Sequence, residues 1–255
     1  MNIANKTILI TGANRGIGRV LVTEALKRGA KKVYAGTRGS LQIADERVMP
    51  LTLDVTNVSQ IQRAVDQVDT LDVLINNAGV AIYNDSLDNL DVIEQHLAVN
   101  LLGWFKVTHA FLPLLRRSKG AIVANLSLAA LAAVPVLSAY SISKAAAFNM
   151  TQSLRALLAG QAVTVHAVLL GPIDTDMTRG LEIPKTSPEF AAIGIFDGLE
   201  KGEEEIFPDP VSQSIAEGWR SGVAKALEHQ FAALAPAKAA NLGCNVATAP
   251  KESRR

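Results

Sequence analysis

The chain has 255 residues, 49% of them hydrophobic, and a formal net charge of +1. That length suits one large α/β domain, and so small a net charge gives no reason to expect nucleic acid or a membrane surface as a partner. Cys244 is the single cysteine, which excludes an internal disulfide and fits a reducing, cytoplasmic setting. The N-terminal residues run straight into an apolar strand, so no signal peptide is expected.

The first strand candidate, 7–10, is followed by Thr11-Gly12-Ala13-Asn14-Arg15-Gly16-Ile17-Gly18 and a helix over 17–28. Glycines at such a turn let the backbone approach a pyrophosphate, and the helix N-terminus offers free N–H groups and a favourable dipole. The spacing is not G-x-G-x-x-G, and its place between the first strand and the first helix carries the reading. The second strand, 32–36, runs into Thr37-Arg38. No carboxylate occurs between Lys31 and Leu41. An Asp or Glu there would select NAD, whereas Arg38 together with Arg15 favours a 2′-phosphate, and hence NADP(H) over NAD(H).

Strands at 49–53 and 73–76 flank a helix at 59–68. The fourth strand ends in Asn76-Asn77-Ala78-Gly79. A helix over 91–115 leads to a strand at 121–126, closed by Ser127. The run 121–137 is apolar enough to be considered as a membrane span, but Asn125, Ser127 and Pro135 interrupt it, so a buried strand and a loop are expected. A helix over 138–158 opens with Tyr140-Ser141-Ile142-Ser143-Lys144. Spacing of four puts phenol and ammonium on one helical face, where the cation is expected to lower the tyrosine pKa and ease proton exchange. Neither other tyrosine has a lysine at that spacing: Tyr34 is followed by Arg38 and Tyr83 by Leu87.

A strand at 163–169 follows. Residues 174–190, with Pro184 and Pro188, read as a mobile substrate loop. A helix near 190–199, a short strand at 205–207 and a helix over 211–234 complete a body spanning 1–235. Residues 236–255, rich in Ala, read as a weakly ordered tail. Near-continuous apolar strands alternating with helices give the fold class: α/β, one doubly wound seven-stranded parallel sheet flanked by helices on both faces. His96, His109, His166 and His229 show no H-x-x-x-H pairing, so no metal site is expected. Glu203-Glu204-Glu205 reads as a solvated turn, Asp85, Asp88 and Asp91 as loop and cap residues, and Trp104 and Trp219 as core or interface residues.

Together, TGANRGIG, Asp54 in LDV, NNAG, Asn100 in AVN, Ser127, YSISK and GPIDTD resemble the short-chain dehydrogenase/reductase family, in family order from Thr11 to Asp176. The resemblance implies a Rossmann domain and a hydride transfer between NADP(H) and a carbonyl or alcohol. It implies Tyr140 as acid/base, Lys144 as its partner and ribose ligand, Ser127 orienting the substrate oxygen, and Asn100 holding a water that links Lys144 to solvent. Asp54 and Val55 would meet the adenine, Asn77, Ala78 and Gly79 the ribose, and Pro172, Ile173 and Thr175 the carboxamide. Leu128 stands where a second serine is frequent, and with Ala129, Met177 and Leu181 it is expected to wall an apolar pocket. The expected substrate is an apolar ketone or aldehyde. The alternatives are an acyl-carrier-linked 3-oxo substrate, or a catalytically silent NADP(H)-sensing protein. The Leu/Ala-rich faces of 91–115 and 138–158 are expected to pack in a homodimer or homotetramer.

Overall fold

In the computed structural model, residues 1–83 and 87–235 are described. Asp85, Cys244 and the whole 236–255 tail, on which sequence expectations fell, lie outside them. The elements run β1 (Thr7–Thr11), α1 (Gly16–Lys27), β2 (Lys32–Thr37), β3 (Val48–Thr52), α2 (Val58–Asp66), β4 (Val73–Asn76), α3 (Leu90–Leu97), α4 (Trp104–Ser118), β5 (Ala121–Asn125), α5 (Ser138–Leu158), β6 (Thr164–Val168), α6 (Pro188–Lys201), β7 (Glu205–Ile206), α7 (Pro210–Arg220) and α8 (Val223–Ala232).

The seven strands form one parallel sheet in the order β3-β2-β1-β4-β5-β6-β7. Alternate residues of each strand feed two separate apolar layers. Leu9, Tyr34, Leu74, Ile122 and Val165 face the layer shared with Ile61 of α2, Phe111 of α4 and Phe148 of α5. Ile8, Ile10, Val33, Val73 and Val123 face the layer shared with Leu21 of α1 and Phe196 of α6. Covering on both faces is why the strands read as unbroken apolar runs. Strand order reverses between β1 and β4, and the carboxyl ends there define the crevice where such sheets take ligands.

Four expectations need correcting. The helix expected over 211–234 is two helices, because Gly222, extended at ψ 158°, ends the run after α7 and starts α8. The helix expected over 91–115 runs from Leu90 to Ser118, with a π-helical segment, Ala98–Gly103, in the middle. That run is long and apolar enough to cross a bilayer by length and composition, but Trp104, Val107, Phe111, Leu112 and Leu115 spend its apolar side in the core. The Glu203–205 stretch is not simply a solvated turn either. Glu205 is buried in β7 and paired with Arg155 (2.8 Å) and Lys225 (2.9 Å), and Glu204 and Glu228 join the same network. Carboxylate oxygens of Glu204, Glu205 and Glu228 lie within 4.8 Å of one another, and Arg155 and Lys225 neutralise them. The charges face inward because the α8 residues Lys225 and Glu228 dock on α5 and β7, a pairing three adjacent glutamates do not reveal. Trp104 is buried in the core and Trp219 packs on Phe148 with ring centroids 5.4 Å apart. Asn89, rather than an aspartate, caps α3.

Candidate active site

The glycine turn has the shape its sequence asked for. Gly12 and Gly16 sit at φ +67° and +51°, a region costly for residues with a Cβ. A Cβ on Gly18 would meet the Gly12 carbonyl oxygen at 2.1 Å, so only glycine lets α1 start this close to β1. Arg15 occupies the N-cap of α1 without a side-chain hydrogen bond, and the first turn contains no acid. The helix N-terminus therefore presents uncapped N–H groups, the setting an anion takes.

A web of polar side chains ties this turn to the neighbouring strand ends. The Thr11 hydroxyl accepts from the amides of Asn77 and Ala78, each at 3.0 Å. The Asn77 amide donates to Thr11 O (2.9 Å) and Gly12 O (3.2 Å), and its oxygen accepts from Asn125 (2.7 Å). Asn125 in turn holds the ammonium of Lys144 through its backbone oxygen at 2.9 Å. One chain of bonds thus runs from the glycine turn to α5.

Asn100 lies in the π-helical segment, where the register change aims its side chain at the loop after β4. It clamps Val80 from both sides, accepting from its amide (2.9 Å) and donating to its oxygen (3.0 Å), and also donates to Ser143 Oγ (2.9 Å). Ser143 donates to the Tyr140 backbone oxygen at 2.7 Å. Gly79 fits between Asn100 and Lys144: a Cβ there would stand 3.2 Å from Asn100 Oδ1 and 3.8 Å from Lys144 Nζ.

Tyr140 and Lys144 stand one helical turn apart on α5, and Ser127 stands just past the end of β5. Lys144 Nζ lies 5.6 Å from the Tyr140 ring centroid, and Ser127 caps the short 3₁₀ turn Leu128–Ala130 by accepting from the Ala129 amide. Tyr140 is half-buried overall, with its hydroxyl end in dense surroundings. The expected lowering of its pKa is not the dominant effect. Burial pushes the phenol up to about 12, against a hydrogen bond from Ser127 that favours the phenolate, while charge on Tyr83 would oppose its ionisation. Burial also pushes Lys144 down to about 8. Desolvation outweighs the cation because Lys144 is itself enclosed and directs its ammonium at Asn125.

On the adenine side, Thr37 is buried at the end of β2, and Arg38 is exposed with Nη1 4.0 Å from Asp54. Bonds from Thr56, then the charge of Arg38, hold the Asp54 carboxyl below its ordinary range against a smaller opposing effect of burial. Val55 is buried beside Gly103, and Asn14 lies beside Gly39. At the sixth strand's end, Ile173 is buried and bridges to Thr186, Pro172 O accepts from the Thr186 amide at 2.9 Å, and the Thr175 side chain lies against Gly16. Of the expected pocket walls, Ala129 is buried, Leu128 packs on the core cluster, Leu181 is half-buried, and Met177 is exposed.

Two residues, His96 and Asp209, have parts here that sequence patterning did not assign to them. His96 is fully buried; Nδ1 faces Val92 O at 2.7 Å, Nε2 accepts from the Ile82 amide at 3.1 Å, and its ring meets Tyr140 edge-on at 6.3 Å. Buried Asp209 accepts from the amides of Gly171 (2.8 Å), Val211 (3.1 Å) and Ser212 (3.0 Å), pinning the end of β6 to α7. Asp209-Pro210 at a helix start is a readable cap signal; the reach back to Gly171 is not.

A doubly wound sheet with a glycine turn at its switch point, and a Tyr–Lys–Ser cluster at the same edge, defines a nucleotide-dependent oxidoreductase. The short chain dehydrogenase family model matches residues 6–185, and the chain belongs to that family. It is 32% identical to 11-beta-hydroxysteroid dehydrogenase-like 3 of Arabidopsis thaliana, over 80% of this chain and 74% of that one. It is 31% identical to ketoacyl reductase HetN of Nostoc sp., over 84% of this chain and 82% of that one. A crystal structure of a short chain dehydrogenase from Burkholderia cenocepacia in complex with NADP superposes with a TM-score of 0.83 at 38% identity, covering 92% of this chain and all of that one.

Proposed function

We propose that the chain is an NADPH-dependent carbonyl reductase acting on apolar ketones or aldehydes. The observation that carries this reading is the bonded line from the glycine turn through Asn77 and Asn125 to Lys144, which ends one helical turn from the Tyr140 phenol. The uncapped α1 terminus and the left-handed glycines suit a pyrophosphate, the exposed Arg15 and Arg38 suit a 2′-phosphate, and the Burkholderia relative was crystallised with NADP.

NADPH, when bound, supplies the hydride. The protein's own groups do the rest. Ser127 holds the substrate oxygen beside the Tyr140 hydroxyl. A phenol with its pKa near 12 keeps its proton across the neutral range, so it is loaded as a donor when charge develops on that oxygen. Lys144, with its pKa near 8, carries its charge at neutral pH and stabilises the phenolate left behind. Asn100 and Ser143 hold Val80 and the Tyr140 backbone in place.

The test is a panel of alkyl and aryl ketones with NADPH, following cofactor absorbance and identifying the alcohol by chromatography. Turnover with NADPH well above that with NADH supports the proposal; NADPH binding without alcohol product from any carbonyl contradicts it. The likeness to a ketoacyl reductase favours one second reading, a 3-oxoacyl thioester substrate, and the same panel tests it by including one. We further propose a cytoplasmic homodimer or homotetramer, with Leu102 and Phe105 beside and on α4 and Ile142 on α5 as exposed apolar contacts; sedimentation gives the oligomeric mass.

A further inference from the structure

The 3₁₀ turn Asp176–Thr178 lies in the loop joining β6 to α6, and two distant parts of the chain reach it. On one side Arg15 of the glycine turn approaches Asp176 at 3.9 Å, an exposed pair that contributes little. On the other, the Tyr83 hydroxyl donates to the Met177 backbone oxygen at 2.9 Å, across 94 residues of sequence. Tyr83 is half-buried, and burial raises its phenol pKa. It stands close enough to Tyr140 for its charge to oppose ionisation of that phenol.

The segment carrying Tyr83 is itself fixed from below. Val80 is held at both backbone groups by Asn100, and the Ile82 amide is held by buried His96, whose ring lies against Tyr140. Tyr83 therefore projects from a rigid base beside the proton donor. The turn it grips is closed by its own bonds, the Thr178 hydroxyl donating to Ile173 O and Thr175 O, while Met177 itself is exposed and Gly180 takes a φ of +83°. The Tyr83 bond is what ties the exposed Met177 to the loop after β4, beside Tyr140.

Resting on the reductase reading above, we infer that Tyr83 is a specificity-determining residue: its hydroxyl tethers Met177 over the mouth of the Tyr140 site and so limits the bulk of the carbonyl compound admitted. Without the tether the 176–178 turn swings outward, and larger ketones gain access relative to small ones.

Tyr83→Phe removes the tethering oxygen and keeps the ring. Two measurements read it. The first needs no catalysis: limited trypsin digestion, with fragment masses reporting cleavage after Arg179, whose side chain is 81% exposed. Loss of one neutral hydrogen bond is expected to raise that rate by roughly three- to tenfold, because cleavage follows the open population of the turn. The second is the ratio of kcat/KM for 2-acetylnaphthalene to that for acetone with NADPH, which is expected to rise by a similar factor. A general loss of activity scales both substrates alike and leaves the ratio fixed. An unchanged cleavage rate at Arg179, or an unchanged ratio, overturns the inference. If the wild-type protein reduces neither ketone, the reductase reading is what fails, while the digestion still decides whether the tether exists.

Discussion

Replacing Lys144 by Met should make the folded protein more stable while removing its activity. Lys144 is 6% exposed, and burial takes its pKa from 10.5 to about 8. At about 1.4 kcal/mol per pH unit, holding that ammonium charged inside the fold costs on the order of 3 kcal/mol. Methionine has nearly the same shape and no charge. It gives up the charge-assisted bond to Asn125 O at 2.9 Å, worth about 2 kcal/mol, so a net gain of roughly 1 kcal/mol remains at pH 7. The pH dependence separates this from ordinary repacking. Below pH 8 both the folded and the unfolded lysine hold the proton, and the cost is present in full. From pH 8 to 10.5 the unfolded chain binds more protons, so wild-type stability rises with pH relative to the methionine variant. Urea unfolding of both proteins at several pH values from 7 to 10 measures the difference. The advantage of the variant should be largest at pH 7 and gone by pH 10. A variant less stable at pH 7, or a difference that does not change with pH, refutes the desolvation argument.

Two further outcomes follow from the same geometry. Arg38→Asp should weaken NADPH binding by roughly ten- to a hundredfold and NADH binding much less, measured by fluorescence titration; equal losses would mean that Arg38 meets no phosphate. Asp209→Ala removes the acceptor of the Gly171 and Val211 amides and of the buried Ser212 amide and should cost about 2 kcal/mol in chemical denaturation; a loss below about 0.5 kcal/mol would contradict its role as the pin between β6 and α7.

The inner strands were legible because burial on both faces writes each as a short apolar run, and even the edge strand β3, which exposes Met49, Pro50 and Thr52, lies within a few residues of its expected place. Glycines at left-handed φ and the four-residue Tyr140–Lys144 spacing were legible because each is a local geometric demand. Long-range partners were not. Nothing around Glu205 announces Lys225 and Arg155, and nothing around Tyr83 announces Met177, since such pairs are made only by tertiary packing. The π-helical segment at Asn100 keeps an apolar helical pattern on both sides, so periodicity reads straight through it. The break at Gly222 is a weaker oversight, because Ser221-Gly222 is a readable helix stop. The raised phenol of Tyr140 shows the limit of a motif: spacing supplies the neighbouring charge, while depth of burial, which sequence does not report, decides the direction of the pKa.

The central claim is that the Tyr140 hydroxyl gives its proton to a carbonyl oxygen at the end of the glycine-turn cleft. Tyr140→Phe removes that single oxygen from a residue whose backbone is held by Ser143, so the fold and the nucleotide cleft should survive. Stopped-flow measurement of NADPH oxidation with an accepted ketone, beside NADPH titration of the same sample, should show turnover lost by roughly a thousandfold or more with binding nearly unchanged. A variant that reduces the ketone at close to the wild-type rate would contradict the account.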